Sequence, residues 1–295
     1  MAVDHHHSTP IYGVSGLRVL PDEGGTRNWD TIIVDESVKN QLLSHAVLTL
    51  AHQKELSKLP GSMQRLVILA GPPGTGKTTL ATGLAEKVSF LLADKGDTAL
   101  VEVNPHSLPS EMLGESQRNV ARLLDNSLPE LSLRYPHVVV VIDEVESFAV
   151  RRSSASFEAN PIDVHRASDA VLEGMDRLMK RCPNVLVVTT TNFPQAIDEA
   201  FTSRADLVIS VAIPTTEAAA QIIRHSLLEL AQIWSELAEL AEDESLHRSI
   251  AEQCKGWDGR QLRRLPLKVL AQNIDLASNP QSLTKEDIFR VIKSF

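Results

Sequence analysis

Short runs of apolar residues alternate with amphipathic stretches along most of the chain. Each run is rich in Val, Ile and Leu, which is typical of strands buried on both faces of a sheet. Helical spacing of apolar residues separates consecutive runs, and this alternation predicts parallel strands joined by crossover helices. The predicted fold class is therefore α/β, a three-layer parallel sheet of five strands. The predicted strands lie at residues 66–70, 100–103, 138–142, 185–190 and 207–211.

The pattern changes to helices alone after Pro214, which predicts a second, smaller domain. Apolar residues recur at helical spacing in residues 217–241 and 259–277, and Thr284 with Asp287 has the spacing of a capping box. The N-terminal residues are polar and interrupted by glycines, which predicts a loosely ordered leader. The predicted organisation is a flexible polar leader at 1–27, a large α/β domain at 28–213 and a small α-helical lid domain at 214–295.

A glycine-rich segment directly follows the first predicted strand. Residues 71–78 read Gly-Pro-Pro-Gly-Thr-Gly-Lys-Thr, a complete G-x-x-x-x-G-K-[ST] phosphate loop between a strand and a helix. Its glycines let backbone N–H groups approach phosphate oxygens, and Lys77 can reach the β- and γ-phosphates of a nucleotide. The alternative is a glycine-rich turn without a ligand. The residues expected to bind a nucleoside triphosphate are Gly71, Pro72, Pro73, Gly74, Thr75, Gly76, Lys77, Thr78 and Thr79.

Two carboxylates end the strand predicted at residues 138–142. Asp143 and Glu144 then lie at the carboxyl end of a central strand, where α/β sheets bind ligands. Asp143 is expected to hold Mg²⁺ through water or together with Thr78, and Glu144 is expected to orient and polarise the attacking water. A solvated acidic turn is the alternative interpretation. Their position downstream of a phosphate loop favours nucleotide hydrolysis over binding alone.

Three further polar residues are candidates for the same chemistry. Asn192 follows the strand at 185–190, which is expected to lie beside the strand carrying Asp143, so Asn192 can hydrogen-bond the attacking water or the γ-phosphate. Arg204 lies near the end of the large domain, where an arginine can be delivered to a neighbouring subunit's γ-phosphate. Arg260 starts a helix of the small domain and can reach back to the same phosphate. The alternatives are that Asn192 is a turn residue, that Arg204 is a surface charge and that Arg260 is a helix-start residue facing solvent.

Composition restricts the possible partners and location. The 295-residue chain carries a net charge of −9, which argues against direct nucleic-acid binding, since that relies on concentrated Lys and Arg. No run approaches the roughly 20 apolar residues that span a bilayer, so no membrane partner is expected and a cytoplasmic location is predicted. The two cysteines, Cys182 and Cys254, are predicted to be buried thiols rather than a disulfide or a zinc site.

Together these motifs resemble an AAA+ ATPase over roughly residues 28–295. More narrowly, residues 142–147, 201–206 and 259–266 resemble the pachytene checkpoint type of AAA+ ATPase, which remodels HORMA domains. The specific parts are the Glu-Ser pair after Val145 and the Gly-Arg-x-Leu-Arg-x-Leu-Pro string in the last segment. The resemblance assigns Walker A to residues 71–78, Walker B to 139–144, sensor one to Asn192, an arginine finger to Arg204 and sensor two to Arg260.

The resemblance implies a homo-hexameric ring that hydrolyses ATP with Mg²⁺. Such a ring grips a flexible end of a HORMA protein in its central pore, partly unfolds it and converts its closed state to an open one. The segment that matches the family's substrate pore loop includes Glu111, Met112, Leu113 and Gly114. Met112 and Leu113 are bulky enough to wedge against an extended chain, although relatives usually place aromatic residues there.

The resemblance also implies a biological setting. With a short polar leader before its ATPase domain, the chain looks like the shortened bacterial form, similar to regulators that accompany HORMA proteins and cyclic-oligonucleotide synthases in CBASS antiphage signalling. There the ATPase disassembles the HORMA–synthase complex and keeps signalling off. Three alternatives are a general unfoldase or chaperone for another protein client, a DNA clamp-loader or initiator-type ATPase, and a structural ring that binds nucleotide without turnover.

Overall fold

One sheet of six strands organises the N-terminal two thirds of the chain. The computed structural model describes residues 11–59, 63–103, 115–147 and 161–294, and for residues 115–117 and 161–168 it describes the backbone alone. The strands lie in the order β1-β3-β4-β5-β2-β6. They are β1 (Val14–Leu20), β2 (Leu66–Ala70), β3 (Thr98–Val103), β4 (His137–Ile142), β5 (Val185–Thr191) and β6 (Leu207–Ser210).

The five predicted strands are β2 to β6, and their neighbouring pairs all run parallel. β2, β4 and β5 are buried along their whole length, as expected for apolar runs in a sheet covered on both faces. β4 pairs directly with β5 in a register that sets Ile142 opposite Thr189. The carboxyl ends of these two strands therefore meet at one edge of the sheet, which confirms the α/β fold and the expected adjacency.

The strand β1 is a correction to the sequence analysis. It lies in the segment predicted as a flexible leader, and it pairs antiparallel with β3 along the length of that strand. Polar residues interrupt its apolar alternation and most of its side chains are only half-buried, so its local sequence signal is weak. Long-range contacts hold it instead: Arg18 donates to the carboxylate of Glu86, which is 3% exposed. The predicted all-parallel sheet of five strands is therefore a mixed sheet of six.

The described residues divide into two compact units. The first unit contains the sheet, and the second is dominated by C-terminal helices. The predicted domain boundary after residue 213 stays a prediction. Within the described ranges, the first unit comprises Met1–Asp30, Ser37–Ala70 and Thr78–Ser210, and the second comprises Thr31–Glu36, Gly71–Lys77 and Val211–Phe295.

Helices cover the sheet in the first unit. Leu66 and Val140 of the sheet pack in one apolar cluster with Leu124, Leu178 and Phe201. The helix after the phosphate loop carries an apolar stripe that is fully buried; it consists of Leu80, Ala81, Leu84, Ala85 and Val88. In chain order the described helices up to residue 210 are α1 (Arg27–Thr31), α2 (Glu36–Ala51), α3 (Gln53–Leu56), α4 (Lys77–Leu91), α5 (Glu115–Arg122), α6 (Leu128–Arg134), α7 (Pro161–Arg181) and α8 (Glu199–Thr202).

The second unit has its own apolar core, built from helices as predicted. Both long helical stretches of the prediction are split in two. An extended backbone at Trp234 (φ −123°, ψ 96°) interrupts the first stretch, and the side chain of Asn273 accepts the N–H of Leu276 to start a new helix in the second. The capping box of Thr284 and Asp287 is confirmed. The helices are α9 (Thr216–Ala231), α10 (Ala238–Glu242), α11 (Glu244–Gln253), α12 (Gly259–Leu270), α13 (Ile274–Ser278) and α14 (Lys285–Ile292).

Both cysteines are buried thiols, as predicted. Burial raises the pKa of the Cys254 thiol to about 11, which makes it a poor nucleophile at neutral pH. Among the described residues, no helix is both long and apolar enough to cross a membrane.

Candidate active site

The phosphate loop holds its own lysine. Lys77 Nζ donates to the carbonyl oxygens of Gly71 at 2.8 Å and Pro72 at 2.7 Å, and Thr75 Oγ1 donates to the same Pro72 oxygen at 3.0 Å. Lys77 and Thr75 are both buried. The backbone of the loop therefore fixes the position of the ammonium group, and α4 begins at that lysine.

Gly74 joins the phosphate loop to the start of α12 within the second unit. The N–H of Arg260 donates to the Gly74 carbonyl at 3.1 Å, while Asp258 caps α12 by accepting the N–H of Gln261 at 2.8 Å. Gly74 has a φ of +77°, and a Cβ at this position would lie 2.4 Å from the Asp258 carboxylate. This close approach requires glycine. The main chain of Arg260 thus contacts the phosphate loop, and Arg260 as a whole is exposed.

Two threonines fix Asp143 at the end of β4. Thr78 Oγ1 donates to Asp143 Oδ1 at 2.8 Å, and Thr190 Oγ1 donates to the same oxygen. Hydroxyl and carboxylate oxygens are ligands that Mg²⁺ accepts, and these two oxygens lie close enough to share one ion. No group of three or more His, Cys, Asp or Glu side chains forms a metal site among the described residues. One hydroxyl and one carboxylate fit an ion such as Mg²⁺, which would complete its coordination with phosphate oxygens and water.

Glu144 has a left-handed backbone, with a φ of +52°. This conformation is uncommon and costly for a residue other than glycine. The N–H of Glu144 donates to Thr190 Oγ1 at 3.1 Å, and Asn192 Nδ2 donates to Glu144 Oε1 at 3.3 Å. The first bond holds the main chain of Glu144, and the second holds its carboxylate. The fold therefore brings Asp143, Glu144 and Asn192 together from the ends of two adjacent strands.

Sequence reasoning missed two residues of this network, Thr190 and Glu146. Thr190 binds both acidic residues, and Glu146 Oε1 accepts the N–H of Asn192 at 3.1 Å. A signal for Thr190 was present, because three consecutive threonines end a strand that is otherwise apolar and fully buried. Glu146 contributed to the family resemblance but had no assigned role.

Arg204 follows α8 and is held by its own protomer. Its Nε and Nη2 donate to the two carboxylate oxygens of Asp176 at 2.9 and 3.0 Å, and its Nη1 donates to the Ala200 carbonyl at 2.7 Å. The hydrogen bonds and negative charge of Asp176 raise the pKa of Arg204, so the guanidinium stays fully charged. Asp176 is a further residue that sequence reasoning missed.

The predicted pore-loop residues Glu111, Met112, Leu113 and Gly114 lie outside the described residues.

Comparison with known proteins identifies the family. The family model described as ATPase family associated with various cellular activities (AAA) matches residues 67–213. CD-NTase-associated protein 6 of Pseudomonas aeruginosa is 40% identical over 276 residues, which cover 93% of this chain and 89% of that protein. Putative pachytene checkpoint protein 2 of Caenorhabditis elegans is 34% identical over 265 residues, covering 83% of this chain and 62% of the relative.

The solved structures agree on the fold. A chain in the structure of an E. coli MS115-1 HORMA:CdnC:Trip13 complex matches with a TM-score of 0.75 at 19% identity, covering 96% of this chain and 95% of that chain. At this identity the match concerns the fold alone, while the curated relatives establish the kinship. The chain therefore belongs to the AAA ATPases, in the group that includes CD-NTase-associated protein 6 and pachytene checkpoint protein 2.

Proposed function

We propose that the chain forms a homo-hexameric ring that hydrolyses Mg-ATP to remodel a HORMA-domain protein from its closed to its open state. The remodelling disassembles a complex of that protein with a cyclic-oligonucleotide synthase, so the ATPase acts as a negative regulator of CBASS antiphage signalling. The similarity to CD-NTase-associated protein 6 along nearly the whole chain carries this proposal, because that name ties the relative to a CD-NTase. The shared fold with a chain from a HORMA:CdnC:Trip13 complex supports the HORMA client.

Hydrolysis in this proposal is centred on Glu144. Its carboxylate orients and polarises the water that attacks the γ-phosphate. The hydrogen bond from Asn192 supports this role, because it restricts the rotation of the carboxylate. Asn192 is held in turn by Glu146 through its main-chain N–H. The strained backbone of Glu144 fixes the direction in which the side chain leaves the strand.

The remaining roles divide between phosphate binding and the metal. Loop N–H groups and Lys77 hold the phosphates, and Thr78 with Asp143 would hold Mg²⁺. Mg²⁺, when bound with ATP, neutralises charge that develops on the β- and γ-phosphate oxygens. Thr190 keeps the Asp143 oxygen in position through a hydroxyl that carries no charge of its own. Thr79 continues the loop into α4.

Two arginines that do not lie at the strand ends interact with the γ-phosphate in this proposal. Arg204 acts as a finger on the nucleotide of a neighbouring protomer, and Arg260 acts as the second sensor. The contact between the Arg260 main chain and Gly74 supports a link between the lid helices and the phosphate loop. The segment with Met112 and Leu113 grips the client in the pore. This activity belongs in the cytoplasm, where thiols such as Cys182 stay reduced.

The substitution Glu144→Gln tests this proposal in the full-length chain. The phosphate loop is unchanged, so ATP should bind with wild-type affinity, whereas hydrolysis should fall at least about a hundredfold, the scale of a lost general base. The variant should then retain the HORMA protein in a pull-down with ATP. Titration of labelled ATP, a phosphate-release assay and the pull-down measure the three effects.

Glu130→Gln provides the control for this substitution. Glu130 is an exposed residue of α6 that pairs with Arg134, so the same exchange there should leave ATP turnover unchanged. Wild-type turnover by Glu144→Gln would show that another group orients the water. Stimulation of the wild-type ATPase by DNA, without any response to a HORMA protein, would overturn the assigned client.

A further inference from the structure

The pair formed by Arg204 and Asp176 has a geometry that a surface ion pair does not require. Asp176 binds the side of the guanidinium that carries Nε and Nη2, using both of its carboxylate oxygens. A guanidinium has five N–H donors, and the contacts with Asp176 and Ala200 use three of them. Within the described contacts, one donor therefore remains on Nη1 and one on Nη2. Both of these donors can bind phosphate oxygens.

Both partners of the pair are carried by anchored elements of the first unit. Asp176 lies on α7 between Met175 and Leu178, which are both buried in the apolar core. The main-chain N–H of Arg204 donates to the carbonyl of Phe201, and the Phe201 side chain is 1% exposed. Since neither backbone can shift easily, the ion pair sets the direction of the guanidinium rather than following a mobile loop.

The partial exposure of Arg204 and Asp176 argues for a positioning role of their ion pair rather than a stabilising one. The side chains of Arg204 and Asp176 are 30% and 37% exposed, so water screens their attraction and the pair contributes little to folding. The same contacts remove most of the rotational freedom of a long arginine side chain. A guanidinium ordered in advance loses less entropy when it meets a developing phosphate charge.

We propose that Asp176 is a positioning residue: it holds the Arg204 guanidinium so that its two remaining donors face the γ-phosphate bound by a neighbouring protomer. This inference rests on the proposed function, in which Arg204 acts across the boundary between protomers. Asp176 touches neither the nucleotide nor the water, and it acts through Arg204 alone.

The substitution Asp176→Asn tests this inference in the full-length ring. It removes the charge and one of the two acceptors while it keeps the size of the side chain. We expect kcat for ATP to fall at least about tenfold, the range of a weakened charge-assisted contact to a transition state. The ATP affinity should stay within about twofold and the thermal midpoint within about 2 °C, since an exposed pair adds little to stability.

Glu173→Gln is the matched control for this test. Glu173 lies one turn earlier on α7, is 75% exposed and contacts Arg177 at 3.7 Å, so removing its charge should leave kcat at the wild-type value. An unchanged kcat in Asp176→Asn would overturn the inference. A higher kcat would overturn it too, because Asp176 would then withhold Arg204. A lower kcat with weaker ATP binding or a lower thermal midpoint would assign Asp176 a structural role instead.

Mixed rings separate this inference from the function on which it rests. A protomer with Asp176→Asn keeps an intact Glu144, whereas a protomer with Glu144→Gln keeps a positioned Arg204. Mixing the two should give more hydrolysis than the sum of the separate variants, because each arginine serves its neighbour. The reference mixture pairs Arg204→Ala with Glu144→Gln. If only the reference mixture hydrolyses more ATP than the sum of its separate variants, the role of Asp176 is overturned. If neither mixture does so, the arginine finger itself is overturned.

Discussion

Thr190 Oγ1 accepts the N–H of Glu144 and donates to Asp143, so a single hydroxyl orders two acidic residues. Asp143 and Glu144 are adjacent in the sequence, and their like charges repel each other. A neutral hydroxyl can bind both residues without adding charge, and its burial at 1% exposure protects the bonds from competing water. At the scale of single residues, the proposed hydrolysis therefore depends on this threonine as well as on the two carboxylates.

Thr190→Val should separate this ordering from nucleotide binding. The exchange keeps the shape of the side chain but removes both hydrogen bonds and leaves the Glu144 N–H without its acceptor. We expect kcat to fall about tenfold or more, the equivalent of one to three kcal/mol for a buried hydrogen bond, while ATP affinity changes little. Steady-state kinetics and titration with labelled ATP measure the two quantities.

Thr189→Val is the control for this prediction. Thr189 is equally buried and donates to the carbonyl of Val67 at 3.3 Å, so the same exchange also removes one buried hydrogen bond. Both variants should lose thermal stability, Thr190→Val the more because it loses two hydrogen bonds, and only Thr190→Val should lose turnover. An equal loss of kcat in both variants would indicate that β5 needs its threonines for folding alone.

At the scale of elements, the phosphate loop and α12 meet through main-chain groups of the second unit. Gly74 accepts the N–H of Arg260, and its lack of a side chain leaves room for the Asp258 carboxylate. Asp258 is itself fixed as the cap of α12 by a reciprocal bond with Gln261. A displacement of the loop is therefore expected to displace the helix start, and in the proposed function this couples nucleotide binding to the C-terminal helices.

Gly74→Ala should disrupt this contact, and Gly256→Ala provides its control. Both glycines have a positive φ, +77° and +91°, so alanine introduces backbone strain of about 1 kcal/mol or more at either position. A Cβ meets the Asp258 carboxylate only at Gly74, since nothing lies within 4 Å of a Cβ at Gly256. We expect ATP affinity to fall at least about tenfold in Gly74→Ala and to stay near wild type in Gly256→Ala. Equal affinities in the two variants would contradict the coupling.

The elements that the sequence predicted well are those whose signal is local. Strand β4 is a continuous β-branched run after His137, and the glycine-rich residues 71–78 directly follow a buried strand and lead into a helix. Strand β1 was missed because its stability comes from pairing with β3, which lies far along the chain. The break at Trp234 was missed because the apolar stripe continues in phase across it.

The same distinction applies to the site. The proximity of Asp143, Glu144 and Asn192 was predictable because they follow two recognisable strands that lie side by side in the sheet. Asp176 was not predictable, since it lies 28 residues before Arg204 in a helix with an ordinary amphipathic pattern. Asp176 can be identified as the partner of Arg204 only when the positions of α7 and the end of α8 are known.

At the scale of the whole molecule, the account requires cooperation between copies of the chain. Each protomer would supply Glu144 to its own nucleotide and Arg204 to the nucleotide of its neighbour, so hydrolysis depends on ring assembly. The net charge of −9 favours a protein client over nucleic acid. In the proposed function, Asp143, Glu144 and Asn192 carry out ATP hydrolysis, and the kinship with CD-NTase-associated protein 6 supports a HORMA complex as the client.

The most direct test of the central claim is the ATP-dependent disassembly of a complex between a HORMA protein and its cyclic-oligonucleotide synthase. The complex is labelled with a donor and an acceptor fluorophore, and energy transfer is followed after the full-length ATPase and Mg-ATP are added. The account predicts a loss of transfer with the wild-type chain, and persistent transfer with Glu144→Gln or with ADP. A complex that persists while the wild-type chain hydrolyses ATP, or that dissociates equally with Glu144→Gln, would contradict the account.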